Sequence, residues 1–210
     1  MMHIYAFGSI CRGEMTADSD VDLLAIVSGH EPRLDAQKFS IYSYERIDEL
    51  WCLGNAFAWH LARESKLIYA SDGVDYLSNL GMPAPYTRAS YDCARFRDVF
   101  LASLDAIEKG SPSLVFEMSC AFLAIRNIAT CYSLRMLSAP TFGRDSALRL
   151  GQKNVPISSD MYMLLRRARV LSTRGVGPSI DNLNITELIN ELRHCQSWID
   201  MLCREVANDG

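Results

Sequence analysis

Short apolar runs occupy the first 45 positions of the chain, and helical spacing takes over after Arg46. His3-Ile4-Tyr5-Ala6-Phe7 is an apolar run stopped by Gly8-Ser9, and it reads as a strand. Val21-Asp22-Leu23-Leu24-Ala25-Ile26-Val27 is β-rich and nearly unbroken, as a strand buried on both faces is. Phe39-Ser40-Ile41-Tyr42-Ser43-Tyr44 alternates with period two and predicts a third strand. Ser9 to Arg12 opens a short helix between the first two strands, and residues 28–32 form a loop. Ile47, Leu50, Trp51, Phe57, Leu61 and Leu67 then recur at broadly helical spacing, with a break near Gly54. Gly73, Gly81, Pro83 and Pro85 punctuate a linker over 71–85. Long helical patterns follow over 89–109, 113–138 and 184–207, with shorter ones near 144–152 and 159–172. Ser111-Pro112 looks like an N-cap followed by proline at the first helical position. Asn184-Ile185-Thr186-Glu187 resembles a capping box for the last helix. There is no internal repeat. The pattern predicts a small α/β unit at 1–70, the linker, and a helical bundle at 86–210.

Composition narrows the class. With 210 residues, 49% of them hydrophobic and 22% charged, the chain has ample material for a core and is not a disordered segment. A net charge of -4 argues against a strongly basic nucleic-acid coat. The seven cysteines are odd in number, scattered, and include no Cys-x-x-Cys pair. Neither a disulfide framework nor a zinc site is indicated, and most should be small core residues in a reducing cytoplasm. No apolar run approaches the ~20 residues of a membrane span, and the N-terminus lacks secretory-signal character. A soluble, cytoplasmic protein is expected, with no membrane partner. The apolar helices are able to support a homodimer, although nothing specifies one.

The informative stretch is Phe7-Gly8-Ser9-Ile10-Cys11-Arg12-Gly13, followed by Ser19-Asp20-Val21-Asp22-Leu23-Leu24. A strand ending in Gly8-Ser9 lets backbone approach a phosphate closely, and the helix start presents free amides to an anion. Ser9 adds a hydroxyl and Arg12 a delocalised cation suited to phosphate oxygens. Asp20 and Asp22, two apart on a strand, project from one face. Two adjacent carboxylates repel one another unless divalent cations sit between them, and Mg²⁺ takes such oxygens together with substrate phosphates. A lone Gly-Ser is more often a plain turn, and a lone Asp-x-Asp a polar loop edge. The order strand, Gly-Ser, short helix, Asp-x-Asp, strand is much rarer than its fragments.

On these residues the sequence resembles the nucleotidyltransferase superfamily that includes DNA polymerase β, and within it the minimal and aminoglycoside-type nucleotidyltransferases. The resemblance is specific over 4–27 and weaker over 38–69. It implies an α+β protein, in which a small mixed sheet with helices on one side precedes an all-α bundle. It also implies that Gly8 and Ser9 hold nucleotide phosphates, while Asp20 and Asp22 ligate two Mg²⁺ ions and serve as the catalytic pair. The chemistry would be attack of an acceptor hydroxyl on the α-phosphate of an NTP, expected to be ATP, with pyrophosphate leaving. Members of the family usually carry a third carboxylate on the next strand. Here Lys38 falls at that position, residues 39–44 contain no acid, and Asp35 and Glu45 are the nearest acids in sequence. A lysine there would be repelled by metals and would contact phosphate instead. The same gap leaves open a catalytically weak nucleotide-binding or antitoxin-like interaction protein.

Downstream, His60 and Glu64 lie one helical turn apart and are able to hydrogen-bond or bind metal, a structural role being the commoner one. The segments 124–132 and 141–147 resemble the substrate domain of aminoglycoside-type enzymes and the related HEPN bundles. HEPN ribonucleases pair an Arg with a later His; here Arg126-Asn127 is present, but Cys131 or Tyr132 stands where the His belongs. An active ribonuclease is not expected. Arg126 is either a structural cation paired with Glu117 or Asp145, or a residue of the substrate cleft. Arg166, Arg167, Arg169 and Arg174 form a cationic concentration, either a solvated helix face or a mobile loop reaching an anionic acceptor, RNA or phosphate. The acceptor, bound between the two units, is a small molecule, a protein side chain or an RNA end. Arg126 and Arg174 are its candidate contacts.

Overall fold

β1 (Met2–Phe7), β2 (Asp22–Val27), β3 (Phe39–Ser43) and β4 (Ser65–Ala70) form a four-stranded sheet in the order β3-β2-β1-β4. The computed structural model describes residues 1–14 and 21–209 and divides the chain into two units, Met1–Thr87 and Arg88–Gly210. β1 runs antiparallel to both β2 and β4, and β3 runs parallel to β2, so the sheet is mixed. Leu24, Ala25 and Ile26 are fully buried, which is why β2 reads as continuous rather than alternating. The one-turn helix α1 (Ser9–Arg12) follows β1. Then α2 (Tyr44–Cys52) and α3 (Ala56–Glu64) follow β3. Tyr5, Phe7, Leu24 and Ile26 from the sheet cluster with Ile47, Leu50, Trp51, Ala58 and Leu61 from the two helices. This face sets the register, because a one-residue slip would turn all four strand residues away from the helices.

The break between α2 and α3 is enforced by Gly54, at φ +59°, where a Cβ would run into the carbonyl oxygens of Ala84 and Pro85. That close approach bears on the expected linker. Residues 71–85 are not a linker: they carry α4 (Tyr76–Asn79) and are stitched into the first unit. Tyr5 donates its hydroxyl to Asp75 Oδ1 at 2.9 Å and accepts from the Leu77 amide at 2.9 Å. The indoles of Trp51 and Trp59 donate to the carbonyls of Gly81 and Ala84, both at 3.0 Å. The buried ring of His3 faces the Val74 carbonyl with Nε2 at 2.9 Å and the Tyr44 hydroxyl with Nδ1 at 2.6 Å. In the neutral ring, Nε2 donating to the carbonyl leaves Nδ1 to accept from Tyr44. Glycine and proline therefore mark a wandering backbone whose polar groups are captured by the sheet and helices, not a free tether.

The second unit contains α5 (Ala89–Glu108), α6 (Leu114–Met136), α7 (Ser159–Arg174) and α8 (Ile185–Asn208). The segment expected as a short helix near 144–152 forms two 3-10 turns, Ser146–Leu148 and Gly151–Lys153. α6 begins later than Ser111-Pro112 suggested: Ser113 is its N-cap residue, and the Ser111 hydroxyl accepts from the Ser113 amide at 3.2 Å. Asn184 caps α8 as its sequence signature indicated, accepting from the Glu187 amide at 3.2 Å. At 23 residues, with an 18-residue stretch of mean hydropathy 1.4, α6 is by length and composition able to cross a membrane, contrary to the expectation that no segment would be. It packs against α5, α7 and α8, and Met118, Ala121, Phe122, Ala124, Ile125, Ile128 and Ala129 are buried there. A helix surrounded on several sides by its own bundle is apolar nearly all round.

Candidate functional site

Gly8, Ser9 and Asp22, three of the residues that the sequence singled out for chemistry, lie where β1 ends beside the start of β2. The antiparallel register pairs Phe7 with Asp22, and Asp22 is two residues before Leu24, on the face that meets α2 and α3. Immediately after Phe7 the chain turns at Gly8, with φ +75° and ψ -134°, a conformation that essentially only glycine adopts. The Gly8 amide donates to the Glu64 carbonyl at 3.0 Å, tying the turn to the end of α3. A Cβ at Gly8 would lie 3.0 Å from Asp22 Oδ2 and 3.9 Å from His60 Cε1. The Asp22 carboxylate and the His60 imidazole thus flank the bare α-carbon of Gly8. Ser9 follows directly and begins α1, as its place after the glycine indicated. Asp20, the expected partner of Asp22, lies outside the described residues, as does Ser19.

A chain of charges runs away from this turn. His60 Nε2 lies 3.0 Å from Glu64 Oε2, so the one-turn spacing on α3 does bring the two together. Phe7 meets the His60 ring edge-on, with centroids 5.6 Å apart. Arg12 engages Glu64 Oε2 through a terminal nitrogen and Glu14 Oε2 through Nε at 2.7 Å. Burial opposes the Arg12 charge, yet Glu14 and Glu64 together hold its pKa above the ordinary value. Arg12, expected to face phosphate, is therefore bound to two carboxylates of its own chain. Glu14 carried no weight in the sequence; its signal is the Arg12-x-Glu14 spacing just beyond the helical turn.

On the other side of Asp22 the parallel ladder pairs Leu23 with Phe39, and continuing it by one step sets Lys38 beside Asp22. Both residues line a cavity of about 430 Å³ together with Gln37, Phe39 and Ser40. Lys38 is exposed, its ammonium 4.0 Å from Asp35 Oδ2. Asp35 turns its other carboxylate oxygen to its own loop, accepting from the Gln37 amide at 2.9 Å. Glu45 is exposed in the first turn of α2, where its own amide and the Ser43 hydroxyl hold its carboxyl below the ordinary value. The structure thus gives Asp35 and Glu45 local capping work. Among the described residues, no three His, Cys, Asp or Glu side chains converge as a metal site.

In the second unit, Arg126 donates to its neighbour Asn127 Oδ1 at 3.0 Å and 3.2 Å. Asp145, one of its expected partners, lies 3.6 Å from Arg166, and Glu117 accepts from Ser111 at 3.4 Å. Tyr132, at the position where a HEPN ribonuclease carries histidine, donates to Glu205 at 2.7 Å, and Lys153 engages the same carboxylate. The cationic concentration is divided among local tasks. Arg167 reaches the carbonyls of Pro178 and Ser179, and Arg169 reaches the Ser119 hydroxyl at 3.3 Å. Arg174 is exposed in the last turn of α7, ahead of Gly175 in its left-handed C-cap.

Residues 3–76 match the family model described as a nucleotidyltransferase domain. No curated protein matches the sequence. Among solved structures, the chain is similar to spectinomycin adenyltransferase AAD(9) from Enterococcus faecialis, crystallised with ATP and spectinomycin. The two are 16% identical, with a TM-score of 0.43 over 93% of this chain and 91% of that one.

Proposed function

We infer, from residues 3–76 being a nucleotidyltransferase domain, that this chain moves a nucleoside monophosphate from an NTP to an acceptor hydroxyl and releases pyrophosphate. The observation that carries this reading is the close approach of the Asp22 carboxylate to the bare α-carbon of Gly8. Asp22 is a hard oxygen donor, and the lack of a Cβ at Gly8 lets its carboxylate lie close against the backbone of the turn, which suits Mg²⁺ and a phosphate oxygen. Asp20 and Asp22 would hold the ion. Mg²⁺ bound there offsets charge on the triphosphate and lowers the pKa of the acceptor hydroxyl.

The chain's own groups supply the rest. Gly8 and Ser9 bracket the phosphates with backbone and hydroxyl, in the nucleotide expected to be ATP. Lys38 carries a positive charge on the wall of the cavity that Asp22 also lines and offsets triphosphate charge from that side. Arg12 contributes to the site's field while Glu64 and Glu14 fix its position. His60, held by Glu64 at 3.0 Å, lies beside the Gly8 turn. Arg126 and Arg174 are the proposed acceptor contacts in the second unit. The acceptor is a hydroxyl on a small molecule, a protein side chain or an RNA end.

A second reading, nucleotide binding with little turnover, is favoured by one observation: Lys38 stands beside Asp22 where a further carboxylate would otherwise help deprotonate the acceptor. The two readings separate in one experiment. The protein is incubated with each NTP and Mg²⁺ across a panel of acceptors, with binding measured by calorimetry and pyrophosphate by a coupled assay. Transfer predicts acceptor-dependent pyrophosphate release that is lost in Asp22→Ala. Tight binding with no release on any acceptor supports the second reading.

A further inference from the structure

Arg12 is a cation with two anionic partners, at the turn where the proposed reaction calls for positive charge. It stands three residues after Ser9 on α1, and side chains three apart in a helix share a face. Its Nε donates to Glu14 Oε2 at 2.7 Å, and a terminal nitrogen donates to Glu64 Oε2. One guanidinium between two carboxylates makes a net negative group. Nucleotide phosphates are anionic as well, so they are repelled by the group as it stands. A guanidinium is also a fork that suits phosphate oxygens as closely as it suits carboxylates. Phosphate and carboxylate therefore have a claim on the same donors.

The two carboxylates are not equivalent. Glu64 is the last residue of α3, and its backbone carbonyl accepts from the Gly8 amide at 3.0 Å. Its side chain is 14% exposed and also lies 3.0 Å from His60 Nε2, so displacing it would break a second contact and strand a buried charge. Glu14 follows the left-handed Gly13 that ends α1, and its side chain is 33% exposed. A carboxylate so placed reaches water by side-chain rotation, and ion pairs of this exposure are weak. The Glu14 amide donates to the Ser9 carbonyl at 3.0 Å. Its main chain is thereby tied to the phosphate turn, and the carboxylate stays within reach of Arg12 after letting go.

We propose that Glu14 is a specificity-determining residue that competes with nucleotide phosphate for Arg12. Phosphate oxygens replace the Glu14 carboxylate on the guanidinium, while Glu64 keeps its hold and the direction of Arg12 is preserved. A ligand gains this cation only by outbidding a tethered carboxylate, which a multiply charged phosphate chain does and a singly charged acid does not. The proposal rests on the reading of Gly8, Ser9 and Asp22 as the nucleotide site. It adds that Glu14 holds nucleotide affinity below what the rest of the site would give.

The test is calorimetric binding of the Mg²⁺ complex of α,β-methylene-ATP to the full chain and its variants, with no acceptor present. Glu14→Gln should bind roughly three- to fivefold more tightly than wild type, the scale of one exposed ion pair. Glu49→Gln removes the same charge from an exposed position on α2, where Arg46 is its partner, and should leave affinity unchanged. Arg12→Gln should bind more weakly, and adding Glu14→Gln to it should restore nothing, because the two residues act through one contact. Affinity unchanged or weakened in Glu14→Gln overturns the proposal. So does an equal gain in Glu49→Gln, or a gain that persists without Arg12, since either would be a general effect of charge. Should Arg12→Gln fail to fold, Glu14→Gln against Glu49→Gln decides. Binding by wild type with no gain in Glu14→Gln sinks this proposal alone, whereas no binding by any of the proteins sinks the nucleotide reading and the proposal together.

Discussion

Replacing Gly8 with alanine separates the backbone role of this glycine from its role at the site. Gly8→Ala forces a side chain into a conformation that essentially only glycine adopts, which costs roughly 1–3 kcal/mol. Gly13→Ala is the matched control: it also sits at positive φ, +71°, but among the described residues nothing lies within 4 Å of the position its Cβ would take. Its cost is the left-handed backbone alone, roughly 1–2 kcal/mol. At Gly8 the new methyl would lie 3.0 Å from Asp22 Oδ2, where ordinary contact begins near 3.4 Å, so the carboxylate has to retreat by a few tenths of an ångström. Metal–ligand distances tolerate only about 0.2 Å. Turnover should therefore fall at least tenfold in Gly8→Ala, about 1.4 kcal/mol of transition-state stabilisation. Gly13→Ala should stay near wild type. The assay is acceptor-dependent pyrophosphate release at saturating Mg-NTP, with thermal unfolding of both variants measured in parallel. A folded Gly8→Ala protein that turns over like wild type would refute the reasoning, because the Asp22–Gly8 approach would then have no bearing on chemistry.

Two further substitutions test other parts of the account. Gly54→Ala should lower the melting temperature of the first unit well beyond Gly73→Ala. Both glycines have positive φ, but only the Cβ at 54 meets backbone, the carbonyls of Ala84 and Pro85. Equal shifts in a thermal melt would contradict the claim that 71–85 is packed into that unit. Glu205 has a carboxyl held below its ordinary pKa, first by Lys153 and then by Tyr132. A depressed folded value stabilises the fold above the unfolded carboxylate pKa of about 4.3, and that contribution is lost as pH falls through the folded value. Glu205→Gln should therefore lower the melting temperature near neutral pH, with the gap from wild type closing on acidification. A gap that stays constant down to pH 2 would argue against the linkage.

How much of this was legible beforehand differs between the two units and the site. The first three strands and the long helices were legible because their apolar spacing is dictated by burial: Leu24 and Ile26 pack with Ile47 and Leu61 in the observed core, whereas Leu67, read at helical spacing, belongs to β4. The role of 71–85 was not legible, because glycine and proline announce turns without saying what captures the backbone between them. That information sits on distant residues, the hydroxyl of Tyr5 and the indoles of Trp51 and Trp59. The closeness of Asp22 to Gly8 was legible in one respect only: the sequence ends one strand at Gly8 and carries Asp22 in the next, and the two strands pair. The engagement of Arg12 by Glu64 was hidden, since 52 residues separate them.

The most direct test of the central claim uses ATP labelled at the α-phosphate, incubated with the full chain, Mg²⁺ and an acceptor that supports pyrophosphate release. The account predicts that the label moves to the acceptor in step with pyrophosphate, and that Asp20→Ala and Asp22→Ala, both folded, transfer none. Label that stays in free nucleotide, or transfer that persists in either variant, would contradict it.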